Sequence, residues 1–452
     1  MKRSQITTVV LAAAAALITA AGVMLCISLY LHSAEPDRDG WSMLLMLPAP
    51  AAAAVAVTLL LLDILCIVMA VTLTVSYVRL SRAVSSCDDK TAGKPRFSRL
   101  TALDAEVGVP DGTPYNERID LRGFCDGFRS YAASGMGLYY DEKVIRSFVS
   151  ALSCTHLIII QGISGTGKTS LPFAFGKYVC RDAAVTPVQP SWKDRSDLLG
   201  YYNEFTDSYT ETELLCRLYE ANMSDDVFTV VLDEMNIARV EYYFAEFLSL
   251  LELPEGTSRR VRVTADSRQS DPALFSGGTL QLPSNVWFVG TANNDDSTLS
   301  ISDKVRDRSF VLELNSRSRP FAASDTGRTR ISSKRLKELF GEARTAHPMS
   351  SEIRSAISET DEYLGRRLGI TFGNRLIKQA ESFIPAYVAC GGTEEEAADM
   401  LICRKLAAKT EELNPVTCIN EAAGLIKQLN GAFGDGAMSE CIAYLKKYGE
   451  EG

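Results

Sequence analysis

The sequence predicts an α/β fold: a parallel sheet flanked by helices, with a helical region after it and two transmembrane helices before it. Three observations support this prediction. Aliphatic runs that end in polar residues recur in mid-chain, as in "LIIIQG", "FTVVLDE" and "VWFVGTANN", and such runs are typical of buried parallel strands. No such run occurs after about residue 320, and the first 80 residues are strongly apolar.

Two apolar stretches, 6–31 and 41–78, occupy most of the first 80 residues. The first has no charged residue and exceeds the roughly 20 residues that a membrane-spanning helix needs. It is also longer than the apolar core of a cleaved signal peptide. In the second, two prolines near its start place the span at 53–78, where Asp63 is either a functional polar group or a contact with the partner helix. A pair of buried core helices is the alternative for both stretches.

The basic residues around these stretches predict their orientation. Lys and Arg favour the cytoplasmic side of a membrane. We therefore expect a two-pass protein of the inner or plasma membrane, in contact with the lipid bilayer, with both termini in the cytoplasm. Lys2 and Arg3 precede the first span, Arg38 alone lies between the spans, and Arg79, Arg82, Lys90, Lys94, Arg96 and Arg99 follow the second.

The stretch "GISGTGKTS", 162–170, follows the first aliphatic run and fits the pattern G-x-x-x-x-G-K-[ST]. A strand that feeds such a loop turns backbone N–H groups toward phosphate, and the helix after the loop adds the positive end of its dipole. Lys168 is expected to reach the terminal phosphates, and Thr169 to bind Mg²⁺. A glycine-rich turn between a strand and a helix is the alternative. The residues predicted to bind the nucleotide are Gly162, Ser164, Gly165, Thr166, Gly167, Lys168, Thr169 and Ser170.

Polar residues at the ends of the other two runs complete a candidate catalytic set. Mg²⁺ on a triphosphate needs an acidic ligand, and hydrolysis needs a group that orients the attacking water. After the predicted strand 227–232, Asp233 is placed for the metal and Glu234 for the water. Asn293 is placed to contact the terminal phosphate or the water, because ligands bind at the carboxyl ends of parallel strands. A helix cap at 233–234 and a turn residue at 293 are the alternatives.

Three segments resemble a known family: "QPSWKDRSDLLGYYNEF", "LDEMNIARVEYYFAEFLSLLE" and "VGTANNDDSTLSISDKVRDRSF". They are similar to the AAA+ ring NTPases of the McrB type, the motor subunits of modification-dependent restriction systems. Dynein-related and MoxR-type AAA+ proteins are more distant relatives. The resemblance covers about residues 120–315 and implies a P-loop AAA+ core, a C-terminal helical lid and a ring of copies of this chain, a hexamer.

The resemblance also assigns roles to single residues, with 162–170 as the Walker A motif. The chain departs from the family at 292–297, where "ANNDDS" replaces a pattern that often reads Met-Asn-x-x-Asp-Arg. Ser297 stands for the final arginine, which counts against partner-stimulated GTP hydrolysis of the restriction type. The implied roles are the Walker B pair for Asp233 and Glu234, the first sensor for Asn293, the arginine finger for Arg306 or Arg308, and the second sensor for Arg375. The alternatives are local pairing of Arg306 and Arg308 with Asp303 and Asp307, and a surface position without a role for Arg375.

These features divide the chain into four predicted parts. A two-helix membrane anchor occupies 1–80, and a polar juxtamembrane linker occupies 81–118. A nucleotide-binding core follows at 119–320, and a helical lid domain at 321–452.

The composition argues against several other kinds of site. The 11 cysteines contain no C-x-x-C pair and the three histidines lie far apart, so neither a disulfide framework nor a metal cluster is indicated. The net charge of −9 argues against broad nucleic-acid binding. The arginine-rich segment 257–268 reads as a hairpin that faces a pore or a polyanionic partner, or else solvent. Tyr201 and Tyr202 are either pore-facing aromatics or loop packing.

The sequence therefore predicts a membrane-anchored AAA+ NTPase that hydrolyses ATP with Mg²⁺ in an oligomeric ring and remodels or activates a partner. One alternative is a GTP-dependent motor of a restriction or defence system whose nuclease or effector is a separate chain. The other is a nucleotide-gated membrane scaffold with little hydrolysis. No Asn-Lys-x-Asp guanine motif occurs, but McrB proteins that use GTP also lack it, so its absence decides little. The resemblance favours ATP because AAA+ proteins in general use it. Glu234 counts against the scaffold, because a pure switch needs no group to orient water.

Overall fold

A computed structural model describes residues 64, 69, 95–106, 114–254, 256–293, 298–410 and 413–450. The chain divides into two units, Met1–Lys94 and Pro95–Gly452. The two predicted membrane spans lie outside the described residues, apart from Ile64 and Met69. Within the part that is described, no helix has both the length and the apolar character needed to cross a bilayer.

The described strands form one parallel sheet and two hairpins. They are β1 (Leu157–Gly162), β2 (Ala184–Pro187), β3 (Gly200–Asn203), β4 (Ser208–Glu211), β5 (Phe228–Asp233), β6 (Arg260–Arg262), β7 (Thr279–Gln281), β8 (Val286–Asn293) and β9 (Phe310–Glu313). The five-stranded sheet has the order β2-β5-β8-β1-β9, and each neighbouring pair is parallel. β3 pairs with β4, and β6 pairs with β7, both antiparallel.

Helices flank the sheet and make up most of the C-terminal region. Those before β9 are α1 (Arg99–Glu106), α2 (Leu121–Met136), α3 (Glu142–Ala151), α4 (Ser170–Tyr178), α5 (Ser196–Leu199), α6 (Glu213–Ala221), α7 (Val240–Tyr243), α8 (Ala245–Leu251) and α9 (Asp303–Arg306). Those after it are α10 (Ser333–Ala346), α11 (Ser351–Leu368), α12 (Gly373–Ala389), α13 (Glu394–Thr410), α14 (Pro415–Phe433) and α15 (Ser439–Glu450).

The side chains of β1 show how the sheet separates two apolar layers. Ile158 and Ile160 pack with α2, α3, α4 and the C-terminal helices. Leu157 and Ile159 pack on the other face with α1, α6 and α8. Successive side chains of a strand point to opposite faces, and burial of both faces explains the uninterrupted aliphatic run. The predicted α/β fold with buried parallel strands is confirmed.

The helices from α10 onward extend the first of these layers. The side chain of Ser332 caps α10 by accepting a hydrogen bond from the N–H of Arg335 at 3.0 Å. Ser350 caps α11 in the same way, from the N–H of Ile353 at 3.2 Å. Such caps satisfy N–H groups that no helical carbonyl reaches. As predicted, no strand occurs among the described residues from 333 onward.

The structure corrects the predicted linker, 81–118, at residues 95–106. This segment contains α1 and packs on the core, with Arg96 2% exposed and Phe97 fully buried. Phe97 stacks with Tyr209, and the two ring centroids are 4.7 Å apart. The segment looks polar in the sequence because its buried residues are few and their partners lie far along the chain.

A buried charge cluster joins the start of β5 to the chain before α10. Asp226 is fully buried and accepts hydrogen bonds from Arg181 Nε at 2.6 Å and Arg330 Nε at 2.8 Å. Burial alone raises the pKa of Asp226, but hydrogen bonds from Arg330, Ser224 and Arg181 outweigh it and lower the pKa to about 2. The folded pKa lies below the unfolded value of about 3.9. The ionised carboxylate therefore stabilises the fold above that value, and the contribution is lost as the pH falls toward 2.

We expect Asp226→Asn to lower the free energy of unfolding by about 3–5 kcal/mol at neutral pH, because two arginines would then face an uncharged amide. Asp225→Asn, at the exposed neighbouring position, is the matched control and should cost less than about 0.5 kcal/mol. Urea unfolding of the full chain measures both values. The difference in the free energy of unfolding between wild type and Asp226→Asn should become smaller as the pH falls from about 5 to about 2. A difference that does not change with pH would contradict this account.

Candidate functional site

The loop 162–170 connects the end of β1 to the start of α4. Gly162 and Gly167 have φ angles of 149° and 93°. A Cβ atom on Gly162 would lie 2.1 Å from the carbonyl oxygen of Leu314, and one on Gly167 would lie 3.0 Å from the hydroxyl of Tyr140. Conformation and close packing therefore both require glycine at these positions. A loop with this backbone, at a helix N-terminus, can turn its N–H groups toward an anion.

Lys168 is held inside this loop. The residue is 7% exposed, and its Nζ donates to the carbonyl oxygens of Gly162 at 2.9 Å and Ile163 at 2.8 Å. Thr166 Oγ1 closes the turn with a hydrogen bond to the Ile163 carbonyl at 3.0 Å. Phosphate oxygens carry more negative charge than carbonyl oxygens and form stronger hydrogen bonds with an ammonium group. The lysine is thus placed to exchange its carbonyl partners for phosphate.

The strands β5 and β8 bring carboxylate and hydroxyl oxygens together with the hydroxyl of Thr169 in the loop. Asp233 ends β5, and its Oδ1 accepts hydrogen bonds from Thr169 Oγ1 at 2.6 Å and Thr291 Oγ1 at 2.8 Å. A hydroxyl and a carboxylate are the hard oxygen ligands that suit Mg²⁺. The described residues contain no group of three or more His, Cys, Asp or Glu placed to hold a metal. This donor set fits an ion that takes its remaining ligands from phosphate and water.

Glu234 follows Asp233 directly and has an exposed side chain. Its φ angle of 53° lies in the left-handed region, which costs a residue other than glycine about 1–3 kcal/mol. The backbone turns sharply there, and Glu234 Oε1 lies 3.5 Å from the side-chain nitrogen of Asn293. Three predicted residues on two neighbouring strands, Asp233, Glu234 and Asn293, are therefore grouped at one edge of the sheet.

Asn236 is a contributor that the sequence reasoning missed. Its Nδ2 donates to the carbonyl oxygens of Asn293 at 3.0 Å and Leu299 at 3.1 Å, which ties the two ends of the loop after β8 together. The segment 294–297, with the family departure at Ser297, lies outside the described residues. Asn236 is part of the quoted segment "LDEMN", but an asparagine after an acidic pair carries no separate signal for this role.

Arg317 and Tyr140 contact the loop and were also missed. Arg317 Nε donates to the carbonyl oxygen of Gly165 at 2.7 Å, and the Tyr140 hydroxyl donates to that of Gly167 at 3.0 Å. Burial raises the pKa of Tyr140, so its hydroxyl stays protonated as a donor. Both residues lie in connecting segments outside any motif, so no local sequence pattern predicts their contact with the loop 162–170. Together they hold the backbone on which a bound phosphate would depend.

The arginines predicted after β8 lie at the other edge of the sheet. Arg308 precedes β9, which runs parallel to β1, whereas the loop 162–170 follows the end of β1. The length of β1, about 20 Å at about 3.3 Å per residue, separates the two edges. Arg308 Nη2 pairs with Glu252 Oε2 at 2.6 Å, and this hydrogen bond lowers the pKa of Glu252. Arg308 therefore does not reach the loop of its own chain.

Arg375 lies with Arg308 at the edge of the sheet opposite the loop 162–170. It also pairs with Glu252, so the structure does not bring it to the loop 162–170, where the predicted second sensor would act on its own chain's nucleotide. Arg308 and Arg375 line a cavity of about 630 Å³ together with His156 and Leu157, at the start of β1. Two acidic residues, Glu252 and Asp307, line this cavity. The basic lining residues are more numerous: Arg259, Arg308, Lys337, Arg344, Arg375 and Lys378.

Arg306 and Arg308 line different cavities in the structure. Arg306 lines a different crevice, along β9, with Gln161 and Arg404. Nε and Nη1 of Arg308 are buried and have no hydrogen-bond partner within the described part of the chain. Arg308 is the better placed of the two to meet an anion from outside the chain, because it lines the cavity in which basic residues predominate.

In the two hairpins, most of the residues considered as pore-facing or partner-facing make contacts within the chain. In the arginine-rich segment, Arg260 Nε bonds Thr279 at 2.7 Å and Arg268 Nη1 bonds Asp207 at 2.6 Å. Tyr202 bonds Asp207 as well, which agrees with loop packing. Tyr201 is 56% exposed.

Comparison with known proteins finds likeness to solved structures alone. No protein family matches the chain, and no curated protein is similar to it. A solved structure that resembles it is that of a candidate ATPase from Cytophaga hutchinsonii, with 13% identity and a TM-score of 0.43. The match covers 69% of this chain and 96% of that one.

Proposed function

We propose that the chain is a nucleoside triphosphatase of the AAA+ class, of the McrB type, that binds ATP with Mg²⁺ at the loop 162–170 and hydrolyses it. One observation carries this proposal. Thr169 and Asp233, 64 residues apart in the chain, are joined by a hydrogen bond of 2.6 Å beside the loop. The exposed carboxylate of Glu234 is next to this contact. Phosphate binding, metal binding and water orientation are thus available at one edge of the sheet.

The chemistry assigns one step to each group. Lys168 and the loop N–H groups bind the phosphate oxygens. Thr169 and Asp233 would hold Mg²⁺, which would supply positive charge that offsets the charge on those oxygens. Glu234 accepts a hydrogen bond from a water and aims its oxygen at the γ-phosphorus, while Asn293 holds the carboxylate or the phosphate. As the new P–O bond forms, the water gives a proton to Glu234 and the bond to the bridging oxygen breaks, leaving ADP and inorganic phosphate.

We infer that the active form is a ring of this chain. The support is the position of Arg308 and Arg375 in a basic cavity at the edge opposite their own loop. In a ring whose copies repeat head to tail, this cavity faces the loop of the neighbouring copy, so each site takes its catalytic arginine from the next subunit.

We further propose that two N-terminal spans anchor this ring to the inner or plasma membrane and that it remodels or activates a partner. The asymmetry of basic residues around 6–31 and 53–78 supports the orientation with the nucleotide site in the cytoplasm. Internal pairing of Arg260 and Arg268 gives no support to a nucleic-acid partner.

The proposal predicts that Lys168→Ala lowers nucleotide affinity by about 10–100-fold, because a charge-assisted hydrogen bond to phosphate is lost. Affinity is measured on the full chain in detergent with fluorescent ATP and GTP analogues, alongside phosphate release. Lys177→Ala is the control: this residue lies on α4, the helix that follows the loop, and pairs with Asp182 on the surface, a contact that contributes little to stability. Wild-type affinity in Lys168→Ala would remove the phosphate-binding assignment. Tight binding without phosphate release by the wild type would favour the scaffold function instead.

A further inference from the structure

We propose that the Thr291 hydroxyl is a positioning group that sets Asp233 and Glu234 at the same time. The inference rests on the proposed function, since it assumes that Asp233 binds Mg²⁺ and that Glu234 orients the water. Thr291 lies inside β8, two residues before Asn293, and is 2% exposed. Its hydroxyl hydrogen-bonds Asp233 and Glu234, so it would act through these two residues.

The two hydrogen bonds of this hydroxyl have fixed directions. Thr291 Oγ1 donates to Asp233 Oδ1 at 2.8 Å and accepts from the backbone N–H of Glu234 at 2.9 Å. An ionised carboxylate can only accept and a backbone N–H can only donate, so one hydroxyl satisfies both without conflict. The oxygen of Asp233 that Thr291 binds is the one that Thr169 also binds.

The backbone explains why a side chain is needed at this point. The ladder between β5 and β8 ends at the pair Leu232 and Gly290, so the N–H of Glu234 lies beyond the last strand pairing. Glu234 then adopts its left-handed conformation, which costs about 1–3 kcal/mol. The Thr291 hydroxyl gives this N–H a partner and thereby holds the turn that projects the Glu234 carboxylate.

The direction of the Thr291 side chain follows from strand alternation. Trp287 and Val289, at the same parity on β8, belong to the apolar layer that contains α4. Thr291 therefore points to the face on which α4 begins, next to Thr169. A group that hydrogen-bonds a metal ligand fixes the orientation of that ligand. Loss of such a group typically costs about 10–100-fold in metal affinity or activity.

The sheet offers a matched control in Thr229. It lies on β5, is 2% exposed like Thr291, and its Oγ1 has no hydrogen-bond partner within the described residues. Replacement of either threonine by valine removes a buried hydroxyl at nearly constant volume. Only the change at position 291 breaks the link between Asp233 and Glu234.

The experiment compares full-length wild type, Thr291→Val, Thr291→Ser and Thr229→Val in detergent. Phosphate release is measured against ATP and Mg²⁺ concentration, and affinity for a fluorescent ATP analogue is measured with and without Mg²⁺. For Thr291→Val we expect kcat to fall by about 10–100-fold and the Mg²⁺ concentration for half-maximal activity to rise. Affinity without Mg²⁺ should stay near wild type. Thr291→Ser should recover most of both quantities, and Thr229→Val should match wild type.

Several results would overturn the inference. One is equal kcat in Thr291→Val and Thr229→Val. Another is a loss in Thr291→Val that Thr291→Ser does not recover, or that comes with an equal loss of metal-free affinity, which would show general damage to the fold. If the wild type binds nucleotide but releases no phosphate, the proposed hydrolysis fails. The Mg²⁺ dependence of binding in Thr291→Val and Thr291→Ser still decides whether the hydroxyl positions the metal ligand.

Discussion

Replacing Glu234 by glutamine is expected to lower kcat for phosphate release by about 10²–10⁴-fold and to leave nucleotide affinity nearly unchanged. Glutamine keeps the size of the side chain but does not accept a proton from the attacking water. Glu234 is exposed, and Lys168 and Thr169 keep their contacts in the variant. An interaction made with the water during attack affects the transition state more than the bound ground state, so binding and turnover separate.

Steady-state phosphate release at saturating ATP and equilibrium binding of a fluorescent analogue measure the two quantities on the full chain. Glu204→Gln, an exposed glutamate between β3 and β4, should behave as wild type and controls for the loss of one surface charge. The variant should also hold ATP unhydrolysed and so accumulate the assembled ring. If Glu234→Gln lost affinity to the same extent as Lys168→Ala, Glu234 would belong to the binding contacts, and another group would have to orient the water.

The residues at the loop edge of the sheet could be predicted for a local physical reason. Each follows an aliphatic run long enough to be a buried strand, and parallel strands place their carboxyl ends at one edge. Asp233, Glu234 and Asn293 could thus be grouped without knowing which strands are neighbours. The order β2-β5-β8-β1-β9 then accounts for the contact between Thr169 and Asp233.

Residues whose role depends on a distant partner could not be predicted in this way. Thr291 reads as one more β-branched residue in a strand, and its function appears only when β8 lies beside β5. Arg317 and Arg96 contact the loop and the core from segments that look like polar connections. A single polar residue in a loop carries no periodic signal, so its partner has to be seen in three dimensions.

The position of Arg375 was missed for a different reason. Its helix, α12, was predicted as part of a lid, but the direction in which a lid helix packs depends on side-chain interlocking across several helices. The structure pairs Arg375 with Glu252, beside Arg308. This pairing puts the two arginines together at the edge opposite the loop, where both line the basic cavity.

Arg308→Ala is expected to lower phosphate release by about 10³–10⁵-fold while nucleotide binding stays near wild type. Transfer of the γ-phosphoryl group spreads negative charge over its oxygens, and a guanidinium brought from a neighbouring copy offsets that charge. Arg308 meets this need because it lines the basic cavity at the edge opposite its own loop. Arg344→Ala is the matched control: its exposed side chain lines the same cavity, so it removes equal charge at the rim.

Mixing two inactive chains gives the decisive test. An Arg308→Ala chain keeps its own Lys168 and Glu234, and a Glu234→Gln chain keeps its Arg308. Where the site of the first meets the arginine of the second, every catalytic group is present, so phosphate release should reappear and peak near equal amounts of the two. Arg306→Ala in place of Arg308→Ala tests the other candidate in the same assay, and its crevice along β9 predicts a smaller loss on its own. If co-assembled chains regained no activity at any ratio, the shared site would be wrong, and Arg308 would serve only its ion pair with Glu252.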